Sequence, residues 1–359
     1  MALFEGQLKA NEIFGAIYNM IISQEVFTSQ IKGTFSSLAE EARVDGGLYG
    51  DTKLYYSTDA LESKSWLNDK EASNLLQIHR PKAPAIQAIT IDVFRQISLT
   101  VDDYLSKRAW SDEYTFSQFN GVMLSWLRNT KKLYDSTTYN TFIGTAKSNL
   151  ESCNVKVDLT GFETESAIDK ARLEGMTIAN SLADLFIDLQ RPSRDYNEYQ
   201  FMRSYDEGEF NVVWNSKFVN KIRKIDLPTI FNENGLVDKL AQKVLPAQYF
   251  GTVNSEGGNA PATNKTVRSL VEKDFSGKHL YPGDLLPNNA TYEANETYTV
   301  DDKVICKIVQ KTAVPFMSAF EAQTNFFNPK TLTENHYLTW GHNHLEYLKE
   351  FPYITMSIK

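Results

Sequence analysis

The sequence predicts an α+β fold, and three stretches carry that reading. Between Ile89 and Val101 the odd positions are apolar (Ile89, Ile91, Val93, Ile97, Leu99, Val101), broken only by Arg95. Period two held over about thirteen residues, at ~3.3 Å each, makes a strand of roughly 40 Å, about twice the usual length. From Ser111 the spacing turns helical: Phe116, Phe119, Met123, Trp126, Leu127, Thr130 and Tyr134 recur at three- and four-residue steps and share one face. Ser111 suits the N-cap, with Asp112 and Glu113 in the first turn, and Gly144 suits the C′ stop. The result is a rod of roughly 45 Å whose aromatic face needs a partner along its length. The third stretch reads strand at 210–214, helix at 216–224, helix at 236–243 and strand at 244–250, an order that implies a sheet with helices packed on it.

The remaining elements follow in chain order. Residues 8–31 read as an amphipathic helix with Ile13, Phe14, Ile17 and Ile21 on one side; Gly33 breaks it and a shorter helical piece covers 38–43. Asp45-Gly46-Gly47 is a turn signal. From 48 to 85 there is little core-forming periodicity: a short strand at Lys53-Leu54-Tyr55-Tyr56, a polar helical piece at 70–77, then Pro81 and Pro84. About forty such residues closed by the long strand predict a protruding two-stranded loop. It is functional rather than disordered, because Tyr49, Tyr55, Tyr56 and Trp66 are costly to leave in water. After the long helix, 145–163 reads as connecting chain. A second helix spans 164–189, with Ile168, Ala171, Met176, Ile178, Leu182, Leu185 and Leu189 as its apolar face, and Arg191-Pro192-Ser193 ends it. Residues 252–266 have loop composition, 296–311 alternate as a strand, and 336–358 read as one or two strands. No internal repeat is visible.

The totals exclude several classes. With 359 residues and 42% hydrophobic content a sizeable core forms, in two or three lobes. A net charge of −8 with no block of Lys or Arg argues against nucleic acid as the main partner. The two cysteines, Cys153 and Cys306, lie far apart and read as free thiols. The start has no basic region before an apolar run and no stretch approaches about twenty apolar residues, so the expectation is a soluble, cytosolic chain without a membrane partner.

Catalytic signatures are sparse. Glu334, His336, His342 and His344 are the most tempting group, because His342 and His344 share a face on a strand and a nearby carboxylate would start a zinc or iron site. No second cluster supplies the missing ligands, so structural or surface histidines are the stronger reading. Asp102-Asp103 and Asp301-Asp302 are adjacent and point to opposite faces, which does not make a catalytic dyad. There is no GxSxG, CxxC, HExxH or phosphate loop, and no cofactor is expected. Arg95 either snorkels to the sheet edge or pairs with an acid, on this chain or a neighbour.

Taken in this order the pieces resemble the major capsid proteins of tailed bacteriophages, the Hong Kong 97-type shell fold. The return strand resembles ITIDVFRQISLTVDDY, and the spine helix WSDEYTFSQFNGVMLSWLRNTKKLYDSTTYNTF. The axial part contains FNVVWNSKFVNKIRKIDLPTIF and KVLPAQYFG, and the tail is ENHYLTWGHNHLEYL. The resemblance implies an N-terminal arm (1–45), an extended loop (46–100), a peripheral domain with the spine helix (101–163), an axial domain (164–325) and a return to the periphery (326–359). The wording is closest to short-tailed, podovirus-type phages. It implies a non-enzymatic head protein that self-assembles in the bacterial cytoplasm into pentamers and hexamers of an icosahedral shell around double-stranded DNA. A separate scaffolding protein, a portal at one vertex and a weakly contacted genome would be its other partners. Inter-subunit contacts would fall on the loop and return strand, at Tyr49, Asp51, Lys53, Tyr55, Trp66, Arg80 and Arg95. The Lys–Asn cross-linking trio of some family members has no match here. The rival readings are a metal-dependent enzyme using His336, His342 and His344, and an encapsulin-type shell carrying enzyme cargo.

Overall fold

The computed structural model describes residues 37–47, 50–63, 65, 78, 80–102, 113–223, 241–254, 261–262, 273–275, 278–280, 290–291, 297–301 and 303–359. The expected helix at 8–31, the polar piece at 70–77, the cap at Ser111, and Tyr49 and Trp66 lie outside the described residues.

Two five-stranded sheets share one long helix. The chain enters through α1 (Ser37–Glu41) and β1 (Arg43–Asp45), then forms β2 (Thr52–Ser57) and β3 (Ala85–Asp102). Helix α2 (Glu113–Thr145) follows, then β4 (Asn154–Val157), α3 (Ala167–Gln190), β5 (Phe210–Asn215), α4 (Ser216–Arg223) and β6 (Ala241–Leu245). Short strands β7 (Gly251–Asn254), β8 (Pro261–Ala262), β9 (Lys273–Phe275), β10 (Lys278–Leu280), β11 (Ala290–Thr291) and β12 (Thr297–Val300) pair among themselves as β7–β12, β8–β11 and β9–β10. The chain ends with β13 (Val304–Gln310), β14 (Phe316–Asn328), β15 (Thr333–Asn343) and β16 (Tyr353–Ile358). Sheet one runs β1-β14-β15-β3-β2 and sheet two runs β4-β16-β13-β5-β6.

The length of β3, 18 residues, has a simple cause. Its first part pairs with β2, from Ala85 opposite Ser57 to Thr90 opposite Thr52. From Ile91 onward it pairs with β15, with a register shift at the His342–Asn343 step. One strand thus serves a two-stranded ribbon and the main sheet in turn.

Helix α2 has 33 residues and spans about 50 Å at ~1.5 Å each. Leu127 and Tyr134 pack on Leu338 and Trp340 of sheet one, with Ile97 and Leu99 beside them. Further along, Tyr139 and Ile143 join Val213, Leu245, Phe250, Val309 and Tyr353 in a core on sheet two. The stretch between, Ser136, Thr137, Thr138, Asn140 and Thr141, is buried although it is polar. Three of its hydroxyls bond back to the helix itself: Ser136 Oγ donates to the Leu133 carbonyl at 3.1 Å, Thr137 Oγ1 to the same carbonyl at 2.8 Å and Thr141 Oγ1 to the Thr137 carbonyl at 2.6 Å, while Thr138 Oγ1 is buried without a partner. A hydroxyl satisfied on its own backbone can be buried without the usual penalty.

The last turn of α2 is pinned from three sides. Tyr353 Oη donates to the Ile143 carbonyl at 2.7 Å, and Tyr139 Oη to the Val314 carbonyl at 3.1 Å. Lys307, fully buried on β13, donates to the Ala146 carbonyl at 2.6 Å and to Thr355 Oγ1 at 2.8 Å. A cation on the final carbonyls suits the negative end of the helix dipole.

Several expectations need correction. Gly144 is not a C′ stop, since the helix continues through Thr145; glycine is there because a Cβ would lie 1.9 Å from the Tyr249 carbonyl oxygen. The supposed connecting chain holds β4, which pairs in parallel with β16. Residues 241–243 are strand rather than helix, because parallel pairing with β5 overrides the helix preference of Ala-Gln-Lys. The strand expected at 244–250 ends at Leu245 and gives way to a 3₁₀ turn, Ala247–Tyr249. Helix α3 starts at Ala167, where Ser166 caps it by accepting from the Asp169 amide. Ile168 and Met176, expected on its apolar face, are exposed.

Gly144→Ala should therefore cost about 3 kcal/mol or more, because the added methyl meets backbone that cannot swing aside. Urea denaturation would read this as a lowered midpoint, and an unchanged midpoint would show that the helix end can shift.

Candidate functional site

Three features of sheet one and α2 are not explained by packing alone. The first is a polar junction beneath α2. Arg95 lies with its guanidinium carbon 5.4 Å from the Tyr134 ring centre, and its Nε donates to Tyr134 Oη at 3.3 Å. Tyr134 Oη lies 3.0 Å from His342 Nε2, and His342 Nδ1 lies 2.8 Å from the Asn343 carbonyl. A carbonyl only accepts, so Nδ1 carries the proton and Nε2 accepts from Tyr134. The hydrogen bonds run in one direction: Arg95 to Tyr134, Tyr134 to His342, His342 to the backbone. Next to this line, Asp135 Oδ2 accepts from Lys131 at 3.0 Å and Arg43 at 3.2 Å, and Lys131 reaches Glu321 at 3.4 Å. Burial pushes the Asp135 carboxyl up despite Lys131 and Arg43, and pushes His342 down despite its bond to Asn343.

The histidines of the tail are not gathered into one group. Both ring nitrogens of His342 are engaged, His344 is exposed near Asp92 at 3.6 Å, and His336 sits 3.9 Å from Glu334. Among the described residues no three His, Cys, Asp or Glu side chains are placed to hold a metal ion together. Both cysteines are buried free thiols.

The second feature is the β2–β3 ribbon. Its inner face (Tyr55, Ser57, Gln87, Ile89) turns to the body, where Ile89 packs with Ile91, Met317 and Leu348. Its outer face carries Thr52, Leu54 and Tyr56 beside Thr90, Ala88 and Ile86, and every one of these six residues is exposed. Leu54 is 47%, Tyr56 60% and Ile86 55% accessible, an apolar strip without cover. Leu61 and Ile78, where the loop continues, are more exposed still. The third feature is the β14–β15 turn, with Phe326, Phe327 and Leu332 all exposed and Leu332 at φ 53°.

The residues expected at inter-subunit contacts separate as follows. Asp51 and Lys53 are exposed on the ribbon, and Lys53 Nζ sits 5.6 Å from the Tyr55 ring centre. Tyr55 is half-buried and lines a cleft of about 370 Å³ between the ribbon, β1, and residues 311–315 and 348–351. Arg80 is exposed. Arg95 neither snorkels nor meets an acid within its own chain in the described structure: its partner is Tyr134. Leu54, Ile86, Phe326 and Phe327 were not singled out from sequence. Their signal is an apolar residue on the outer side of a strand whose inner side is already apolar, and it is readable only once the register is known.

Among the described residues the arrangement offers exposed apolar edges on the ribbon and at the β14–β15 turn. Comparison of the whole chain bears on this directly. A chain of the capsid structure of Staphylococcus phage Andhra superposes with a TM-score of 0.61 at 11% identity, covering 94% of this chain and 87% of that one. A chain from the structure of head fiber and inner core protein gp22 of native bacteriophage P68 superposes with a TM-score of 0.60 at 11% identity, covering 94% and 88%. No curated protein sequence matches. The fold is the Hong Kong 97-type shell fold. Residues 2–353 match the family model of the Phi29-like phage major capsid protein, and the chain belongs to that family. It is the major capsid protein of a phage head, a structural component of the virion and not an enzyme.

The junction carries a pH consequence. His342 is depressed by burial, so in the unfolded chain it takes up a proton near pH 6.5 before the folded chain does. Its share of stability is present above that pH and is lost as pH falls toward the depressed value. His342→Gln should remove this share. Urea midpoints between about pH 7.5 and 5.5 should then fall more steeply for the wild type than for the variant; parallel curves would contradict the assignment.

Proposed function

We propose that the outer face of the β2–β3 ribbon is laid on a neighbouring copy, and that copies joined this way close into pentamers and hexamers of an icosahedral shell around double-stranded DNA. The exposed strip Leu54, Tyr56 and Ile86 is the observation that carries this reading. Covering the accessible part of each side chain is worth roughly 1 kcal/mol, and a ring repeats the contact at every subunit. Asp51, Lys53, Tyr55 and Arg80, with Tyr49 and Trp66, belong to the same contact on this reading. Sheet one with α2 forms the peripheral part and sheet two the axial part. The β14–β15 tip, with Phe326 and Phe327, is a second place where copies meet.

The net charge of −8 supports a lining that holds the genome loosely. A separate scaffolding protein guides assembly, and a portal replaces one ring at a vertex. Both belong to the reading of the chain as a head protein of a short-tailed phage.

The test is Tyr56→Asp with Ile86→Asp. Both positions are exposed, so the subunit should fold with an unchanged urea midpoint, and electron microscopy of cells infected with phage carrying the variant should show no closed heads. Normal heads would remove the ribbon face from the contact.

A further inference from the structure

The chain at the end of β2, Ser57 to Asp59, is held to the body by a polar device that packing does not require. At the other end of the ribbon Ile91 bonds two successive residues, accepting from the Gly50 amide at its carbonyl at 3.1 Å and donating its amide to the Asp51 carbonyl at 3.1 Å. Between these two points the ribbon crosses from sheet one toward the segment that follows α3.

That segment is a loop, 193–203, closed on itself. Ser193 and Arg203 exchange backbone hydrogen bonds at 2.9 Å. Inside it, Asn197, 1% exposed, bonds the Phe201 carbonyl at 2.7 Å and the Phe201 amide at 2.8 Å. Gln200 is held at φ 54°, a conformation an L side chain adopts only when its surroundings impose it.

The two arginines this loop presents both grip the ribbon's end. Arg194 Nη1 donates to Asp59 Oδ2 at 2.7 Å and to the Gln200 carbonyl at 2.7 Å. The Met202 amide takes the other Asp59 oxygen at 3.0 Å. Arg203 Nη2 donates to the Thr58 carbonyl at 2.6 Å and to Glu350 Oε1 at 2.9 Å, and its Nε reaches the same Glu350 oxygen at 3.1 Å. Ser57 Oγ closes the ring by donating to Glu350 Oε2 at 2.5 Å. The opposite strand is tied as well: Gln87 bonds the Tyr347 carbonyl at 3.1 Å and the Lys349 amide at 2.9 Å.

We infer that Arg194 and Arg203 are positioning residues for assembly: they fix the direction of the chain as it leaves Asp59, and so the angle between neighbouring subunits. Three consecutive ribbon residues, Ser57, Thr58 and Asp59, are bonded through side chain, backbone and side chain in turn, which restrains rotation as well as distance. A fold that needed only cohesion would leave these groups to water, since exposed ion pairs add little stability. Arg194 is 46% exposed while Asp59 is 11% exposed, so the grip is open on the arginine side. The Arg194 hydrogen bond, with the Met202 amide, brings the Asp59 carboxyl down to about 2, so the pair stays charged throughout the neutral range. Salt rather than acid is what loosens it.

The inference rests on the ribbon being an inter-subunit element, so its readouts include one that does not. The variant is Arg194→Ala with Arg203→Ala in the full chain, carried by the phage. Amide exchange in 52–57 and 85–90 of the purified subunit should quicken by about tenfold with the urea midpoint little changed, and heads should become irregular in diameter. Asp59→Asn, which leaves both arginines in place, should give the same effects in weaker form. The charge swap Asp59→Arg with Arg194→Asp should restore protection and uniform heads, where Asp59→Arg alone does not. Unchanged exchange together with heads of wild-type diameter from the arginine variant would overturn the inference. Quickened exchange with uniform heads would overturn the assembly role and leave only a local tie. Either result stands apart from the Tyr56→Asp, Ile86→Asp test, which addresses the ribbon face and not its direction.

Discussion

Helix α2 has to satisfy two sheets at once, and most of the molecule follows from that. Its Leu127–Tyr134 stretch is committed to sheet one and its Tyr139–Ile143 stretch to sheet two. The described helix of about 50 Å is thus divided between the two sheets along its length. Hydrogen bonds fasten the helix at both places. Arg95, Tyr134 and His342 work at the first; Tyr353, Lys307 and the close approach of Tyr249 to Gly144 work at the second.

The buried polar groups are consistent with this division. His342, Asp135 and Lys307 are residue types that sequence reading associates with chemistry, and each is spent on a structural bond. Lys307 closes a helix end, and Asp135 collects Arg43 from the entering chain and Lys131 from its own helix. Such groups cost free energy unless each is paired, and they admit few alternative arrangements. They register the helix against the sheets where apolar contacts would tolerate sliding.

What could be read from the residues, and what could not, divides on physical lines. The β3 alternation was visible because one of its faces is buried or half-buried along its length while the other is largely exposed, and the first two-thirds of α2 because its apolar residues fall on one stripe. The buried end of α2 was not, because Ser136–Thr141 looks like solvent-facing sequence until the Ser136, Thr137 and Thr141 hydroxyls are seen to bond the helix's own carbonyls. Strand β14 was missed because the stretch Gln323–Phe327 is exposed on both sides and does not alternate. The pairing of the ribbon was legible, since the strand read at 53–56 lies within β2 and pairs with β3. Its uncovered strip was not, because Ile86 lies beside Tyr56 only in the observed register. Nor was the grip of Arg194 on Asp59 legible, since it joins residues 135 positions apart.

The double service of β3 has a mechanical outcome. Because the ribbon and the main sheet share one unbroken strand, a pull on the ribbon runs along the strand axis into the β15 ladder. Hydrogen bonds perpendicular to the pull are loaded together in shear, so the rungs would have to fail in concert instead of unzipping singly.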